Sequence, residues 1–129
     1  MALPHASSGD LISLRPLGGK LEDAPSTALL KTDRLELMRL VLMAGKSFPE
    51  HWVEGEITVQ CLEGRIELEA RQEGSPIRHT MGPGDLVYLA GGVPHAVRAL
   101  EDSSVLVTVL LHPGDNRGGP GQAPAASAH

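Results

Sequence analysis

The sequence predicts an all-β fold, and three observations carry that prediction. Polar and apolar side chains alternate over residues 56–62, which is the periodicity of a half-buried strand. The alternation resumes over residues 65–70 after a turn at Glu63 and Gly64, so the two segments are predicted to pair as an antiparallel hairpin. Elsewhere, short apolar runs lie between turns that contain glycine and proline.

Two histidines stand beside predicted strands in separate parts of the chain. Residues 81–85 form a predicted turn, residues 86–90 a short strand and residues 91–94 a second turn, after which His95 opens the next strand. His51 is placed in the same way, at the start of a strand just after a turn. Such positions converge on one mouth when a sheet closes into a barrel. The two imidazoles therefore mark a candidate site.

Two segments carry apolar residues on both faces of a predicted strand. Residues 34–44 and 104–111 lack simple alternation, so their outer faces must be covered as well as their inner ones. We expect a second copy of the chain to cover them, which predicts a homodimer. The alternative is that residues 10–31 fold back over these faces. Arg39, within the first segment, is expected to pair with a glutamate at the dimer interface rather than to reach a substrate carboxylate.

The remaining segments define the domain boundaries. Residues 1–9 are predicted to form a flexible N-terminal tail, and residues 10–112 the barrel domain. Within the domain, residues 11–14 and 27–31 are predicted short strands. Residues 113–129 are rich in glycine, proline, alanine and serine and carry no large apolar side chain, so they are predicted to be disordered.

Composition and charge exclude several classes of protein. The 129 residues, of which 41% are hydrophobic, are enough for one core and too few for two. The net charge of -5 and the scattered basic residues argue against a nucleic-acid surface, and no apolar run reaches the length of a membrane span. Cys61 is the lone cysteine and the first residues do not resemble a signal peptide, so a cytoplasmic protein is predicted.

The first histidine lies in a segment that resembles a family motif. Gly45, His51 and Gly64 match the spacing of the first motif of the cupins, a large superfamily of small β-barrels. Val53 and Ile57 stand where that motif has its second histidine and its glutamate. Two of the ligands that the resemblance implies are therefore replaced by apolar side chains.

The second histidine lies in a segment similar to the second cupin motif. Gly84, Gly92 and His95 match that motif, whereas Ala90 and Ala99 replace a proline and an asparagine. On both motifs together, the chain resembles a small single-domain cupin.

This resemblance covers roughly residues 33–111 and implies a jelly-roll barrel, the double-stranded β-helix of the cupins. It does not imply one activity. The family includes dioxygenases, isomerases, decarboxylases, storage proteins and sugar-binding regulators, and a fold does not determine a function.

The resemblance also implies a metal site with His51 and His95 as two ligands. Neutral imidazole suits iron, nickel, copper and zinc. Because two donors are too few for a tight site, a carboxylate is expected as the third ligand, and Glu56 is the first candidate. If its neighbour Ile57 faces inward, Glu56 faces outward and reaches the site only if Gly55 introduces a β-bulge.

Three other residues stay open as the third ligand. Glu50 and Glu54 lie in the same segment as Glu56. His79 shares its parity with Met81, which is expected to face inward, and would then line the pocket. A histidine with no ligand role is the favoured interpretation of His79.

The predicted pocket is more apolar than one with the full ligand set. Val53 and Ile57 stand in place of polar ligands, and Trp52 beside His51 either stacks on a ligand or packs into the core. Such a pocket favours a neutral, partly apolar molecule over a highly charged one.

Two functional interpretations follow. In the first, the chain binds a small organic molecule at the barrel mouth, with a divalent metal held weakly by the two histidines. In the second, it is a metal-dependent enzyme that uses iron, nickel, copper or zinc for oxygen chemistry or isomerisation. The incomplete ligand set favours the binding protein, and the retained pair of histidines favours the enzyme.

Overall fold

The computed structural model describes residues 5–111. The predicted disordered tail, residues 113–129, and the first four residues of the predicted N-terminal tail lie outside the described part. The elements are a 3-10 helix at Gly18–Asp23 and the strands β1 Thr27–Lys31, β2 Leu35–Leu42, β3 Ser47–His51, β4 Ile57–Glu63, β5 Ile66–Gln72, β6 Ser75–Met81, β7 Leu86–Leu89, β8 His95–Ala99 and β9 Ser103–Leu110. None of the helical residues described here forms a segment with the length and apolarity that a membrane span needs.

The strands form two antiparallel sheets that enclose one core. One sheet has five strands in the order β1-β2-β9-β4-β7, and the other has four in the order β3-β8-β5-β6. This is the predicted all-β jelly roll. The buried core residues between the sheets are Met38, Leu42, Ile57, Val59, Cys61, Ile66, Leu68, Ala70, Met81, Leu89, Val97, Ala99, Val105 and Val109.

The predicted hairpin over residues 56–70 is wrong, although the alternation that suggested it is right. β4 and β5 do bury alternate residues, but they belong to different sheets and do not pair. Gly64 lies between them with φ of 84°, in the left-handed region that favours glycine. A Cβ on Gly64 would lie 2.2 Å from the Ser103 Oγ atom, so the chain crosses from one sheet to the other tightly against the start of β9.

Two smaller predictions also need correction. His51 ends β3 instead of opening a strand, whereas His95 does open β8 as predicted. Residues 11–14 form no strand. The chain that follows them is held by side chains instead of a sheet partner: the Arg15 carbonyl accepts a hydrogen bond from Arg39, and the Leu17 N–H donates to a carboxylate.

The N-terminal segment covers part of the outer face of the five-stranded sheet. β1 pairs with β2 within the same chain, and Leu21 of the 3-10 helix is only 6% exposed. Leu106 points outward from β9, as its pairing with Gln60 shows, yet it is only 8% exposed. Within residues 10–31, β1 and the 3-10 helix therefore fold back and cover part of the outer face, as in the alternative given above. The homodimer stays a prediction.

A buried ion pair holds that segment in place. An Nη atom of Arg39 lies 3.2 Å from a Glu63 carboxylate oxygen, so the glutamate that Arg39 pairs with belongs to the same chain. Glu63 also accepts hydrogen bonds from the backbone N–H groups of Leu17, at 3.0 Å, and Gly18, at 3.1 Å. The Arg39 side chain donates to the Arg15 carbonyl at 2.7 Å. One carboxylate therefore ties the N-terminal segment to the sheet.

The two connections at the opposite end of the sheets pack against each other. The Gly92 N–H donates to the Val53 carbonyl at 2.8 Å, which joins residues 90–94 to residues 52–56. A Cβ on Gly91 would lie 2.1 Å from the Glu54 carbonyl oxygen. Only glycine permits so close an approach of the two loops.

We predict that Glu63→Gln lowers the free energy of unfolding by about 3 kcal/mol at neutral pH, because it leaves the buried Arg39 guanidinium without its counter-charge. Burial by itself raises the pKa of the Glu63 carboxyl, but the hydrogen bonds and the charge around it outweigh burial and leave the pKa below its ordinary value of 4.5. The stabilisation is therefore complete above pH 4.5 and is lost as the pH falls from there through the lowered pKa.

Urea unfolding of the wild type and the variant across this pH range measures the effect. Glu69→Gln is the matched control, since Glu69 pairs with Arg78 on the solvent-exposed face and such pairs contribute about 0 to 1 kcal/mol. Equal stability of wild type and Glu63→Gln at neutral pH would contradict the assignment.

We also predict that Gly91→Ala destabilises the protein by about 1 to 3 kcal/mol, because the new methyl group forces the two loops apart. Gly82→Ala is its control: a Cβ there meets no atom within 4 Å and φ is not positive. Thermal unfolding that shifts equally for both variants would show that the loop contact is not tight.

Candidate functional site

His51 and His95 lie side by side at one end of the four-stranded sheet. The register of β3 and β8 pairs them directly, across an irregularity between Phe48 and His51. Their ring centroids are 4.3 Å apart, and the ring planes meet at 64°, an edge-on arrangement. His95 is only 5% exposed, whereas His51 is half-buried. The two motifs that the sequence analysis singled out therefore meet in space.

Backbone carbonyls orient both imidazole rings. The His51 Nδ1 atom lies 3.0 Å from the Pro49 carbonyl oxygen, and the His95 Nδ1 atom lies 2.9 Å from the Val93 carbonyl oxygen. A carbonyl only accepts hydrogen bonds, so each Nδ1 carries the proton and donates it. In the neutral tautomer each Nε2 then keeps its lone pair, the arrangement found in histidines that bind metals.

The environment of His95 favours this neutral form. Burial lowers the pKa of His95, and the neighbouring His51 lowers it further. The Val93 carbonyl and the charge of Glu50 act in the opposite direction, but the pKa stays below its ordinary value. The His95 ring is therefore an acceptor at neutral pH.

The five-stranded sheet presents one row of inward side chains at the same end of the barrel. The connections β3 to β4 and β7 to β8 both run directly from this row to the histidine pair. The residues of this row are paired directly across β2, β9, β4 and β7. Because side chains alternate along each strand, all of them point toward the core. Its members are Glu36, Val109, Ile57 and Leu89.

The predicted pocket residues are distributed unevenly around this end. Ile57 is 4% exposed and belongs to the core, and Val53 is half-buried against it. Trp52 is 38% exposed on the loop between β3 and β4. His79 pairs with the inward-facing Leu68 and so has inward parity, but it is exposed on the edge strand β6. His79 is not brought to the histidine pair.

Glu56, the first candidate for a third ligand, lies on the outside of the barrel. Its side chain is exposed and accepts a 2.6 Å hydrogen bond from the Tyr88 hydroxyl on the outer face of the five-stranded sheet. That hydrogen bond raises the pKa of Tyr88. Ile57 does face inward, so the parity of an unbulged strand holds and directs Glu56 away from the pocket.

The donor set at the pair is therefore incomplete. Over residues 5–111, no three side chains of His, Cys, Asp or Glu come close enough together to hold a metal ion. Glu50, adjacent to His51, forms an exposed ion pair with Arg71. Cys61 is fully buried in the core between the sheets, and burial raises the pKa of its thiol. Two imidazoles fit a transition metal, but water or a bound molecule must supply the other positions.

Sequence reasoning missed one charged residue of this region. Glu36 is only 5% exposed and has the same inward parity as Met38. The signal was present, because Glu36 continues the spacing of Met38, Leu40 and Leu42, which the sequence placed on one face.

One concavity in the described part of the molecule does not belong to the histidine site. It is a shallow cleft of roughly 200 Å³ lined mainly by the outward-facing side chains of the four-stranded sheet, among them Ser47, Glu67 and Arg98. Glu67 accepts a hydrogen bond from Arg98 at 3.1 Å there. Neither histidine lines this cleft.

Solved structures share the fold. A conserved protein of unknown function from Streptococcus pyogenes is 21% identical, with a TM-score of 0.65, over 87% of this chain and 96% of that one. KdgF from Halomonas sp. is 24% identical, with a TM-score of 0.59, over 70% of this chain and 82% of that one. At these identities the likeness shows the fold alone.

Oxalate decarboxylase from Bacillus subtilis, which has Mn(II) centres, is 25% identical with a TM-score of 0.58. The match covers 60% of this chain but only 21% of the enzyme. This chain therefore corresponds to a small part of that enzyme's length.

No curated protein matches the sequence. The profile of the cupin domain matches residues 38–115, more than half of the 129 residues. The matched region contains both histidines and all the strands from β3 to β9 that form the barrel around them. The resemblance seen in the two sequence motifs is thus confirmed, and the chain belongs to the cupin domain family.

Proposed function

We propose that this protein binds a small organic molecule at the mouth of its barrel, where His51 and His95 also hold a divalent transition metal weakly. The observation that carries the proposal is the shared orientation of the two rings. Each Nδ1 donates to a backbone carbonyl, at 3.0 Å and 2.9 Å, which leaves two Nε2 lone pairs on neighbouring strands.

The weak metal follows from the count of protein donors. Iron, nickel, copper and zinc all accept imidazole, and oxalate decarboxylase, a structural neighbour, has Mn(II) centres. Two protein ligands leave several coordination positions for water and for donor atoms of the bound molecule. The apolar side chains of Ile57 and Val53, which replace further ligands, would contact the hydrocarbon part of that molecule.

The second candidate function is a metal-dependent enzyme of the dioxygenase or isomerase type. The open positions that weaken the metal site are also what a catalytic metal needs, because substrate binds there. When bound, a metal would supply Lewis acidity or redox chemistry. The residues of this chain would hold it through His51 and His95 and exclude water with Ile57 and Val53.

We predict that the purified, untagged protein binds Ni²⁺ or Zn²⁺ at one site, and that either His51→Ala or His95→Ala removes this binding, since one remaining imidazole does not hold the ion. Elemental mass spectrometry and isothermal titration calorimetry measure metal content and affinity. His79→Ala is the matched control, because His79 is exposed on β6 and apart from the pair. Equal metal content in wild type and the double histidine variant would eliminate the site.

Removal of the metal by a chelator distinguishes the two candidate functions. If the protein is a binding protein, ligand affinity survives chelation of the metal, because apolar contacts and hydrogen bonds carry it. If it is an enzyme, turnover stops on chelation and returns with one added metal.

We also propose a homodimer that uses the part of the outer face left open by the N-terminal segment. Three side chains there are strongly exposed: Leu86 at 54%, Tyr88 at 56% and Leu110 at 47%. Apolar area of this kind on one sheet face favours association. A reducing, cytoplasmic location is proposed with it, supported by the single cysteine, Cys61, being buried and free.

We predict that Leu110→Glu converts the dimer to a monomer, because it places a charge in the proposed interface. Size-exclusion chromatography with light scattering gives the mass directly. Leu11→Glu serves as the control, since Leu11 is 97% exposed and belongs to no strand of that sheet. A monomeric wild type would refute the dimer.

A further inference from the structure

The geometry points to Glu36 as the residue that selects the ligand: the pocket takes a small aliphatic molecule with a protonated amine, whose ammonium group pairs with the Glu36 carboxylate. This inference rests on the proposed ligand site at the barrel mouth and names the class of molecule that fits it. It is carried by the position of Glu36, by its lack of an ion-pair partner and by the chemistry of the groups opposite.

Glu36 faces the interior of the barrel. It pairs with Val109 of β9, which in turn pairs with the core residue Ile57 of β4. Residues paired directly across a sheet share a face, so Glu36 points the same way as these two apolar side chains. Its exposure of 5% agrees with that direction.

The Glu36 carboxylate forms no ion pair with any of the described residues, 5–111. Lys31 is its cross-strand neighbour on β1, but Lys31 is exposed and forms no ion pair with it. A carboxylate without an ion-pair partner attracts a cationic donor, and a bound cation would supply that donor.

Glu36 and the histidine pair stand on opposite walls of the same mouth. β2 continues into β3 after the four residues 43–46 at the far end, and so short a connection places β3 opposite β2. The row that contains Glu36 therefore lies over the row that contains His51, with the usual separation of packed sheets, about 10 Å. Among the described residues, Glu36 does not join the two histidines in a group that could hold one metal ion. A bound molecule that contacts both Glu36 and the histidines must therefore extend across the space between the two sheets.

All three polar groups at this mouth are hydrogen-bond acceptors. In the neutral tautomer the Nε2 atoms of His51 and His95 carry lone pairs, because the single ring proton is on the Nδ1 atom that donates to a carbonyl. An ionised carboxylate only accepts hydrogen bonds. The complementary ligand is therefore a hydrogen-bond donor, and beside a carboxylate the favoured donor is charged. An ammonium group has several N–H bonds and one positive charge, while Ile57 and Val109 suit an aliphatic body.

The experiment uses three probes of equal length: butylamine, butanol and butyrate. Two-dimensional amide NMR titrations of the full chain give the affinity of each probe and the strands that respond. We expect butylamine to shift amides of β2 and β8, and butyrate to shift none of them. Glu36→Gln, which keeps the shape and removes the charge, should weaken butylamine by at least about tenfold.

Two control variants distinguish a failure of the proposed amine pocket from a failure of the proposed metal site. Glu56→Gln removes an exposed carboxylate on the outer face and should leave butylamine affinity unchanged. Ni²⁺ affinity, measured in parallel, should be unchanged in Glu36→Gln and lost in His51→Ala. If the wild type takes no Ni²⁺ but butylamine binding still depends on Glu36, the metal site fails and the amine pocket stands.

Three results would overturn the inference. The first is unchanged butylamine affinity in Glu36→Gln with the fold intact by the same spectra. The second is tighter binding of butanol or butyrate than of butylamine, or no site response to any probe. The third is a loss of Ni²⁺ affinity in Glu36→Gln as large as in His51→Ala, which would make Glu36 a metal ligand.

Discussion

The packing of two sheets around one core decides the direction of every side chain discussed above. Neighbouring residues of a strand point to opposite faces, so once Ile57 is buried between the sheets, Glu56 must face outward. The same constraint places Arg39 on the outer face and Glu36 on the inner one, although the two are only three residues apart on β2. The alternation along β2 therefore directs Arg39 toward the N-terminal segment and Glu36 toward the interior of the barrel.

The two ends of the barrel differ in the residues that they bring together. Glu63 lies at the end of β4, where it binds Arg39 and the backbone of the N-terminal segment. Ile57, at the start of the same strand, belongs to the mouth with the histidine pair. These contacts are separated by the length of a strand, so the protein is stabilised at one end, while Glu36 at the other end forms no ion pair within residues 5–111.

Hydrogen bonds to nearby backbone carbonyls orient the two imidazole rings at the barrel mouth. His51 and His95 each donate to the carbonyl two residues earlier in the chain, so the orientation of each ring is set within its own segment. Long-range pairing of β3 with β8 then brings the rings together. At two of the remaining motif positions, Val53 and Ile57 place hydrocarbon where the first motif has a histidine and a glutamate.

The sequence by itself determined the strand periodicity, the two-sided character of β2 and β9, and the two motifs that contain His51 and His95, because these follow from side-chain spacing. It also contained the inward parity of Glu36. Tertiary structure alone decided that β4 and β5 lie in different sheets, since alternation shows which face is buried but not which strand is the partner. It also decided that Glu63 is the partner of Arg39, and that Glu36 and the histidines share one mouth, because those contacts depend on how distant strands pair.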